Sequence, residues 1–283
     1  MNRNTNFENG ALSGIITNSG RALMPSIFSA EELDSMLKNG KSLKDSPTTT
    51  AALVHFPGSN TEYFLKRNNN KGFRFTCRYL FRKARVFHAA KVAEIFEELK
   101  IKTPKVYMAA EKKTGLYLHA GYILTEKINA TSIDKILLNA DDKDAAMKTF
   151  LLWAAKTITK LHRAGIVHGD LKLINFYCDG DWRNSENSFG IWDLDSVRVR
   201  KKAIPQEVDR EISRIFFTMG YYFDELDDCD HKIKERCREF CALYHEIAPD
   251  LYQPSLDNIM FYINKRLARW NKEIIRKKNK GHG

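Results

Sequence analysis

One polar segment, residues 168–175 (HGDLKLIN), holds side chains that can do chemistry. Asp170 and Asn175 lie five residues apart in a predicted loop after a helix, so one loop can aim a carboxylate and an amide. Asp193 ends an apolar run, where its carboxylate can bind a hard cation. Lys66 closes an earlier predicted strand, where its ammonium can reach phosphate oxygens. Phosphoryl transfer from ATP needs this set: a group that orients the hydroxyl, magnesium ligands and a cation on the phosphates.

The same residues resemble known motifs. HGDLKLIN resembles the protein-kinase catalytic loop H-R-D-L-K-x-x-N, and WDLD at 192–195 resembles the D-F-G element. Gly169 in place of arginine, and Asp195 in place of glycine, are more similar to the bacterial lipopolysaccharide kinase family, the Kdo and core-heptose kinases. Further segments of that family occur in order over about residues 41–215: KDSP at 44–47, YFLK at 63–66, IKTP at 101–104 and ILTE at 123–126.

The resemblance implies a kinase that uses ATP and Mg²⁺ and phosphorylates a sugar hydroxyl of lipopolysaccharide. Asp170 would accept or orient the proton of the acceptor hydroxyl, and Lys172 would contact the transferred phosphate. Asn175 and Asp193 would bind Mg²⁺. His168 is expected to pack in the core instead of carrying a proton.

The resemblance also implies a nucleotide site. Lys66 would pair with the α and β phosphates of ATP. The backbone around Glu126, Lys127 and Ile128 would contact the adenine.

Two departures from the kinase pattern concern that nucleotide site. Residues 45–50 (DSPTTT) stand in place of a glycine-rich phosphate loop and contain no glycine, so Ser and Thr hydroxyls and backbone amides would have to cover the phosphates. The glutamate that should pair with Lys66 is also missing at its expected place, where His88 or Ala89 stands. Either Glu94 serves instead, or the lysine is held differently.

The surrounding pattern predicts an α+β, two-lobed, protein-kinase-like fold. Residues 1–127 read as a small, mainly antiparallel β lobe with one main helix, and residues 128–283 as a larger helical lobe. The predicted elements are a capping box at 29–32, hairpins of 48–56 with 61–67 and of 106–110 with 116–125, a helix over 81–100, a long amphipathic helix through 147–161, short apolar runs at 174–177 and 189–194, and helices near 206–222, 228–247 and 255–277.

Composition narrows the class of protein. The 283 residues are 43% hydrophobic and carry a formal net charge of +11, which indicates a globular protein with an anionic partner. Neither a secretory signal nor an apolar run long enough to span a bilayer is apparent. Five scattered cysteines without a CxxC pair suit a reducing cytoplasm. The expected location is therefore the cytoplasm, with possible peripheral contact with the inner face of the cytoplasmic membrane.

Basic residues concentrate in two places. Residues 66–91 carry nine Lys or Arg and no acidic residue, and residues 265–280 carry eight against Glu273. The first block favours an anionic acceptor such as a glycolipid or phosphosugar. The second either contacts anionic lipid or packs on the helical lobe through Leu267 and Trp270. Because no nucleic-acid-binding motif accompanies the basic residues, the sequence argues against nucleic acid as a partner.

Two alternatives stay open. A small-molecule or protein Ser/Thr kinase of the same fold is one, although no A-P-E follows Asp193 and only fifteen residues separate it from Asp209. The other is a pseudokinase that acts as a membrane-surface binding module, which the missing glycine loop favours and the presence of Asp170, Asn175 and Asp193 opposes.

Overall fold

The chain divides into two units, Met1–Asn129 and Ala130–Gly283. The computed structural model describes residues 4–23, 27–56, 60–70, 72, 83–223, 225–226 and 229–280, with only the backbone for 229–230 and 273–280. Residues 71 and 73–82 of the basic block, which include the first two residues of the helix predicted over 81–100, and residues 57–59 of the predicted turn therefore lie outside the described residues.

The first unit is built on a seven-stranded antiparallel sheet in the order β1-β2-β6-β7-β5-β4-β3. Both predicted hairpins are confirmed, as β4 with β5 and β6 with β7. Lys112 and Lys113, predicted in the second turn, instead continue β6, and the chain reverses at Gly115 with φ 58°. The strands are β1 (Thr5–Asn9), β2 (Leu12–Ile16), β3 (Lys41–Ser46), β4 (Thr49–His55), β5 (Glu62–Asn69), β6 (Val106–Thr114) and β7 (Tyr117–Glu126).

In the described part of this unit, the sheet is accompanied by the helices α1 (Asn18–Arg21), α2 (Ala30–Asn39) and α3 (Arg85–Glu98). The predicted capping box is confirmed at the start of α2, where Ser29 Oγ accepts from the Glu32 amide at 3.2 Å and the Glu32 carboxylate accepts from the Ser29 amide at 2.6 Å. Helix α2 buries Leu33 and Leu37 against the sheet core, and α3 buries Val86 and Phe96.

The second unit is mainly helical. The long amphipathic helix is confirmed as α5, and the three later segments as α7, α8 and α9, with a π-helical turn (Cys229–Ile233) before α8. The elements are β8 (Thr131–Ser132), α4 (Ile133–Asn139), α5 (Lys143–Arg163), β9 (Ile166–Val167), β10 (Phe176–Cys178), α6 (Ser185–Ser188), β11 (Phe189–Ile191), β12 (Arg198–Val199), α7 (Pro205–Tyr222), α8 (Lys234–Ile247) and α9 (Leu256–Lys280).

An aromatic cluster fixes the short strands of this unit. Phe150 and Trp153 of α5 contact Phe176 of β10 edge to face, with ring centroids 5.2 and 5.9 Å apart. Trp153 also meets Phe189 of β11 at 5.3 Å. Because all four rings are buried, the antiparallel pair β10–β11 packs firmly against α5. This packing fixes the positions of Asn175 and Asp193, which flank the two strands.

Helix α9 packs on the second unit along its described side chains. Trp270 contacts Tyr221 of α7 edge to face at 5.5 Å, and Leu267 is half-buried. The prediction that the basic segment packs on the helical unit is therefore confirmed around Leu267 and Trp270. Within the described residues, no helix combines the length and apolar character that crossing a membrane requires.

Asp34 of α2 links two strands of the first unit. Its carboxylate accepts from the Tyr122 hydroxyl of β7 at 3.0 Å and from the Arg67 guanidinium of β5 at 2.7 Å. Tyr122 is only 1% exposed, and burial, followed by the charge of Asp34, raises the pKa of its hydroxyl. The Asp34 carboxylate therefore satisfies a buried donor.

We expect Asp34→Ala to lower the free energy of unfolding by about 1–3 kcal/mol, because the Tyr122 hydroxyl loses its acceptor inside the sheet core. Asp34→Asn keeps an acceptor oxygen and should lose less. Urea unfolding of the three proteins measures the difference. An unchanged midpoint for Asp34→Ala would show that the link contributes nothing.

Candidate active site

The predicted catalytic loop is closed on itself by a side chain. It runs from β9 to β10 and ends in a 3₁₀ turn, Leu173–Asn175. The buried Asn175 amide donates through Nδ2 to the Asp170 carbonyl oxygen at 2.7 Å. This bond orients the amide, so that its Oδ1 oxygen faces away from the Asp170 carbonyl.

Asp170 and Lys172 form an ion pair in this loop. The Lys172 ammonium lies 2.9 Å from Asp170 Oδ2, and the two side chains are 37% and 33% exposed. The carboxylate is therefore held by a neighbouring cation and still accessible to an acceptor.

Asp193 follows β11 directly and is tied to the same loop through its neighbour. The Trp192 amide donates to the Asn175 carbonyl oxygen at 3.0 Å, and the Trp192 indole donates to the Ile174 carbonyl oxygen at 2.6 Å. Asp193 itself has φ 61° and ψ 63°, a left-handed conformation that costs energy for a residue other than glycine. Strained backbone of this kind is typical of functional sites.

His168 is confirmed as a core residue, because it is completely buried. Its Nε2 atom lies 3.3 Å from the Trp192 carbonyl oxygen. Burial lowers the pKa of the imidazole, and the negative charges of Glu211, Asp193 and Asp170 oppose that shift. The carboxylates of Asp170, the predicted catalytic residue, and of Asp193, the predicted magnesium ligand, therefore both act on one buried ring.

A buried network of polar side chains, which was not predicted from the sequence, supports the catalytic loop. The Gly169 amide donates to Glu211 Oε2 of α7 at 2.7 Å, and Glu211 Oε1 lies 3.2 Å from His162 Nε2 of α5. His162 Nδ1 is in turn 2.8 Å from the Tyr244 hydroxyl of α8. Glu211 and Tyr244 are 0% exposed. Three helices thus fix one backbone amide of the catalytic loop.

A sequence signal for part of this network exists. Glu211 falls among Val208, Ile212 and Ile215 on the buried side of α7, and a carboxylate in an apolar stripe needs a partner. Its partners could not be predicted, because Gly169 and His162 lie 42 and 49 residues away in the sequence.

Gly169 is required by the geometry of the loop. Its φ of 80° lies in the left-handed region, and a Cβ there would come within 2.5 Å of the Ser196 carbonyl oxygen. This close approach explains why glycine stands where protein kinases have arginine.

The predicted nucleotide residues lie in the first unit. Lys66 was predicted to end its strand, which is wrong, because β5 continues to Asn69 and pairs Lys66 with Ala51 and Ile123. Glu126 ends β7, and its carboxylate accepts from the Lys105 amide at 3.3 Å.

Lys127 and Ile128, the other two residues predicted near the adenine, follow the end of β7. Lys127 forms a close ion pair with Glu62 at the start of β5. Ile128 follows outside any helix or strand and is half-buried.

Residues 45–50 form a tight hairpin instead of an open loop. Asp45 and Ser46 end β3 opposite Thr50 and Thr49 of β4, with Pro47 at the turn. Ser46 Oγ donates to the Thr49 carbonyl oxygen at 2.9 Å and accepts from the Thr49 amide at 3.1 Å. The Ser46 hydroxyl, one of the groups that the sequence offers for covering the phosphates, is thus engaged within the turn.

Glu94, the alternative helix glutamate, lies in α3. Its carboxylate accepts from the Asn4 side-chain amide at 2.5 Å. His88 and Ala89, which stand where the family pattern would place the glutamate, belong to the same helix.

The chemistry of Asn175 and Asp193 fits Mg²⁺. Magnesium prefers oxygen ligands and binds through one or two carboxylates together with substrate phosphates, so it needs no protein cage. One amide oxygen and one carboxylate beside β10 and β11 provide such a set. No cluster of three or more His, Cys, Asp or Glu able to hold a metal occurs among the described residues.

Comparison with known proteins agrees with this geometry. The family model for the "Lipopolysaccharide kinase (Kdo/WaaP) family" matches residues 41–221. The chain belongs to that family. It is therefore an ATP-dependent kinase that acts on a lipopolysaccharide sugar, and the prediction of an enzyme of this class is confirmed. No curated protein matches the sequence.

A solved structure described as "WaaP in complex with acyl carrier protein" is similar in fold. The match has a TM-score of 0.60 and 16% identity, and it covers 91% of this chain and 98% of that one. The predicted α+β, kinase-like fold class is confirmed by this likeness.

The burial of His168 predicts a pH dependence of stability. Because burial lowers its pKa below the ordinary 6.5, the unfolded chain takes up a proton that the folded chain excludes. The free energy of unfolding should therefore fall as pH drops below 6.5, by at most about 1.4 kcal/mol per pH unit from this group.

Urea unfolding between pH 5 and 7.5 measures this slope. We expect His168→Phe to flatten it, because the group that the folded chain keeps unprotonated is then absent. Equal slopes in the His168→Phe and unsubstituted proteins would contradict the assignment.

Proposed function

We propose that this kinase transfers the γ-phosphoryl group of ATP to a hydroxyl of Kdo–lipid A or of a core heptose, with Asp170 as the residue that orients the acceptor. The acceptor oxygen attacks the γ-phosphorus, the bond to the β–γ bridging oxygen breaks, and ADP leaves. The hydroxyl proton passes to the Asp170 carboxylate. The observation that supports this role is that Asp170 is held at two points. Lys172 forms an ion pair with its carboxylate, and the Asn175 side chain donates to its backbone carbonyl oxygen.

The remaining roles follow the family pattern. Lys172 stabilises the charge on the transferred phosphoryl group, Asn175 and Asp193 bind Mg²⁺, and Mg²⁺ neutralises the phosphate charge when bound. Lys66 contacts the α and β phosphates, and the backbone at 126–128 contacts the adenine. Support for the magnesium role comes from the oxygen ligands that β10 and β11 bring together.

The site of action that we propose is the cytoplasmic side of the inner membrane, where a membrane-anchored glycolipid is accessible to a peripheral enzyme. The basic residues of α9 beyond Trp270 support this location, because anionic lipid attracts each nearby Lys or Arg by about 1 kcal/mol.

We expect Asp170→Asn to lower phosphate transfer to Kdo–lipid A or to heptosylated lipopolysaccharide by about 10²- to 10⁴-fold, because the amide cannot accept the proton. ATP binding measured by calorimetry should change little. Transfer is followed with γ-labelled ATP. Asp181→Asn makes the same chemical change at an exposed turn and should keep full activity.

Three results would contradict the proposal. Equal activity of Asp170→Asn and the unsubstituted enzyme would remove Asp170 from the reaction. Labelling of protein or of small hydroxylated compounds, and never of glycolipid, would favour a kinase of another specificity. Binding of Mg-ATP without turnover on any acceptor would favour a pseudokinase.

A further inference from the structure

Two half-buried arginines, Arg214 and Arg266, lie on neighbouring helices of the second unit. Helices α7 and α9 pack side by side, and the Arg210 guanidinium of α7 lies 5.1 Å from the centre of the Tyr262 ring of α9. Arg214 lies four residues after Arg210 on α7, and Arg266 lies four residues after Tyr262 on α9, so each arginine shares the helix face of the earlier residue. The charges of Arg214 and Arg266 act on one another, as expected for facing positions.

This pair lies beside the catalytic loop. One turn after Arg214 on α7, the Thr218 hydroxyl accepts a hydrogen bond from the Leu173 amide of the loop at 3.1 Å. The negative charge of Asp170 acts on both Arg214 and Arg266. The two guanidinium groups therefore lie within electrostatic reach of the carboxylate that we assign to the acceptor hydroxyl.

The charges of the two arginines are incompletely balanced. No carboxylate in the described part of the chain lies within 4 Å of either guanidinium group, and neither group donates a hydrogen bond to a described residue. Burial lowers the pKa of both, and burial together with the charge of Arg214 lowers that of Arg266 to about 10. Both remain charged at neutral pH, and a partly buried cation without a bonded anion is costly.

We propose that Arg214 and Arg266 bind an oxyanion on the acceptor, a phosphate or a carboxylate close to the hydroxyl that receives the phosphoryl group. A guanidinium group can form two parallel hydrogen bonds to such a group, which fixes both its distance and its orientation. The proposal rests on the proposed function and adds a specificity: an acceptor sugar without a neighbouring anion is a poor substrate.

The acceptor is favoured over the nucleotide because of where α7 contacts the catalytic loop. Arg214 lies on α7 between Glu211, which accepts a hydrogen bond from the Gly169 amide, and Thr218, which accepts one from the Leu173 amide. Asp170, which we assign to the acceptor hydroxyl, lies between those two loop residues, whereas Asp193, the proposed metal ligand, follows β11.

The test compares Arg214→Gln and Arg266→Gln with Arg238→Gln, an exposed arginine of α8. We expect each of the first two to raise the KM for the glycolipid acceptor by about tenfold or more, the effect of removing one charge-assisted hydrogen-bonded pair. The KM for ATP should stay within about twofold, and Arg238→Gln should change neither constant. An unchanged acceptor KM, or an equal rise in the KM for ATP, overturns the proposal.

Modified acceptors identify the anion. An acceptor from which phosphate has been removed enzymatically, or one whose sugar carboxylate has been reduced to an alcohol, should show the raised KM already with the unsubstituted enzyme. Arg266→Gln should then add little to that rise, because the interaction is already lost. If both modified acceptors still lose affinity on Arg266→Gln as much as the intact one does, no acceptor oxyanion meets the pair.

A binding measurement separates this proposal from the proposed function. Displacement of labelled glycolipid by inorganic phosphate needs no turnover, so it reports on the arginines even if every acceptor proves inactive. We expect Arg214→Gln and Arg266→Gln to weaken phosphate binding and Asp170→Asn to retain it. Equal phosphate affinity in all variants overturns the arginine site, whatever the activity.

Discussion

The buried carboxylate of Glu211 is the group on which the catalytic loop depends. It accepts the Gly169 amide at 2.7 Å and meets His162 at 3.2 Å, in an interior where water does not reach. Burying a carboxylate is costly unless its oxygens accept hydrogen bonds. The contacts of Glu211 with Gly169 and His162 therefore hold α7 and the catalytic loop in one fixed arrangement. Since Asp170 follows Gly169 directly, the position of the proposed catalytic carboxylate is set by a contact that it does not itself make.

The same helix connects the loop to the proposed acceptor site. Along α7, Glu211 holds the Gly169 amide, Arg214 faces α9, and Thr218 accepts from the Leu173 amide at 3.1 Å. Successive turns of one rigid helix thus contact both ends of the catalytic loop and carry a cation beside it. Helix packing, instead of a flexible segment, then sets the spacing between the reacting hydroxyl and the anion that we propose is bound next to it.

Residues close together in sequence could be predicted, and residues that meet only through packing could not. Asp170, Asn175 and Asp193 were selected by type and spacing, and the structure joins them through the β10–β11 pair and the Asn175 hydrogen bond. The hairpin of β1 and β2 was missed although Asn9-Gly10 is a strong turn signal. Arg266 was counted among the basic residues of a possible membrane helix, because periodicity gives the face of a helix and says nothing of its neighbour. Only the packing of α9 on α7 reveals that Arg266 lies beside the helix that contacts the catalytic loop.

Hydrogen exchange of the Gly169 amide tests most directly whether Glu211 positions the loop. Measured by NMR in the unsubstituted protein, this amide should exchange slowly. In Glu211→Ala it should exchange far faster, while amides in the middle of α5 stay protected and Glu207→Gln, four residues earlier on α7, leaves Gly169 unaffected. Rapid exchange of Gly169 in the unsubstituted protein, or equal protection in Glu211→Ala, would contradict the account.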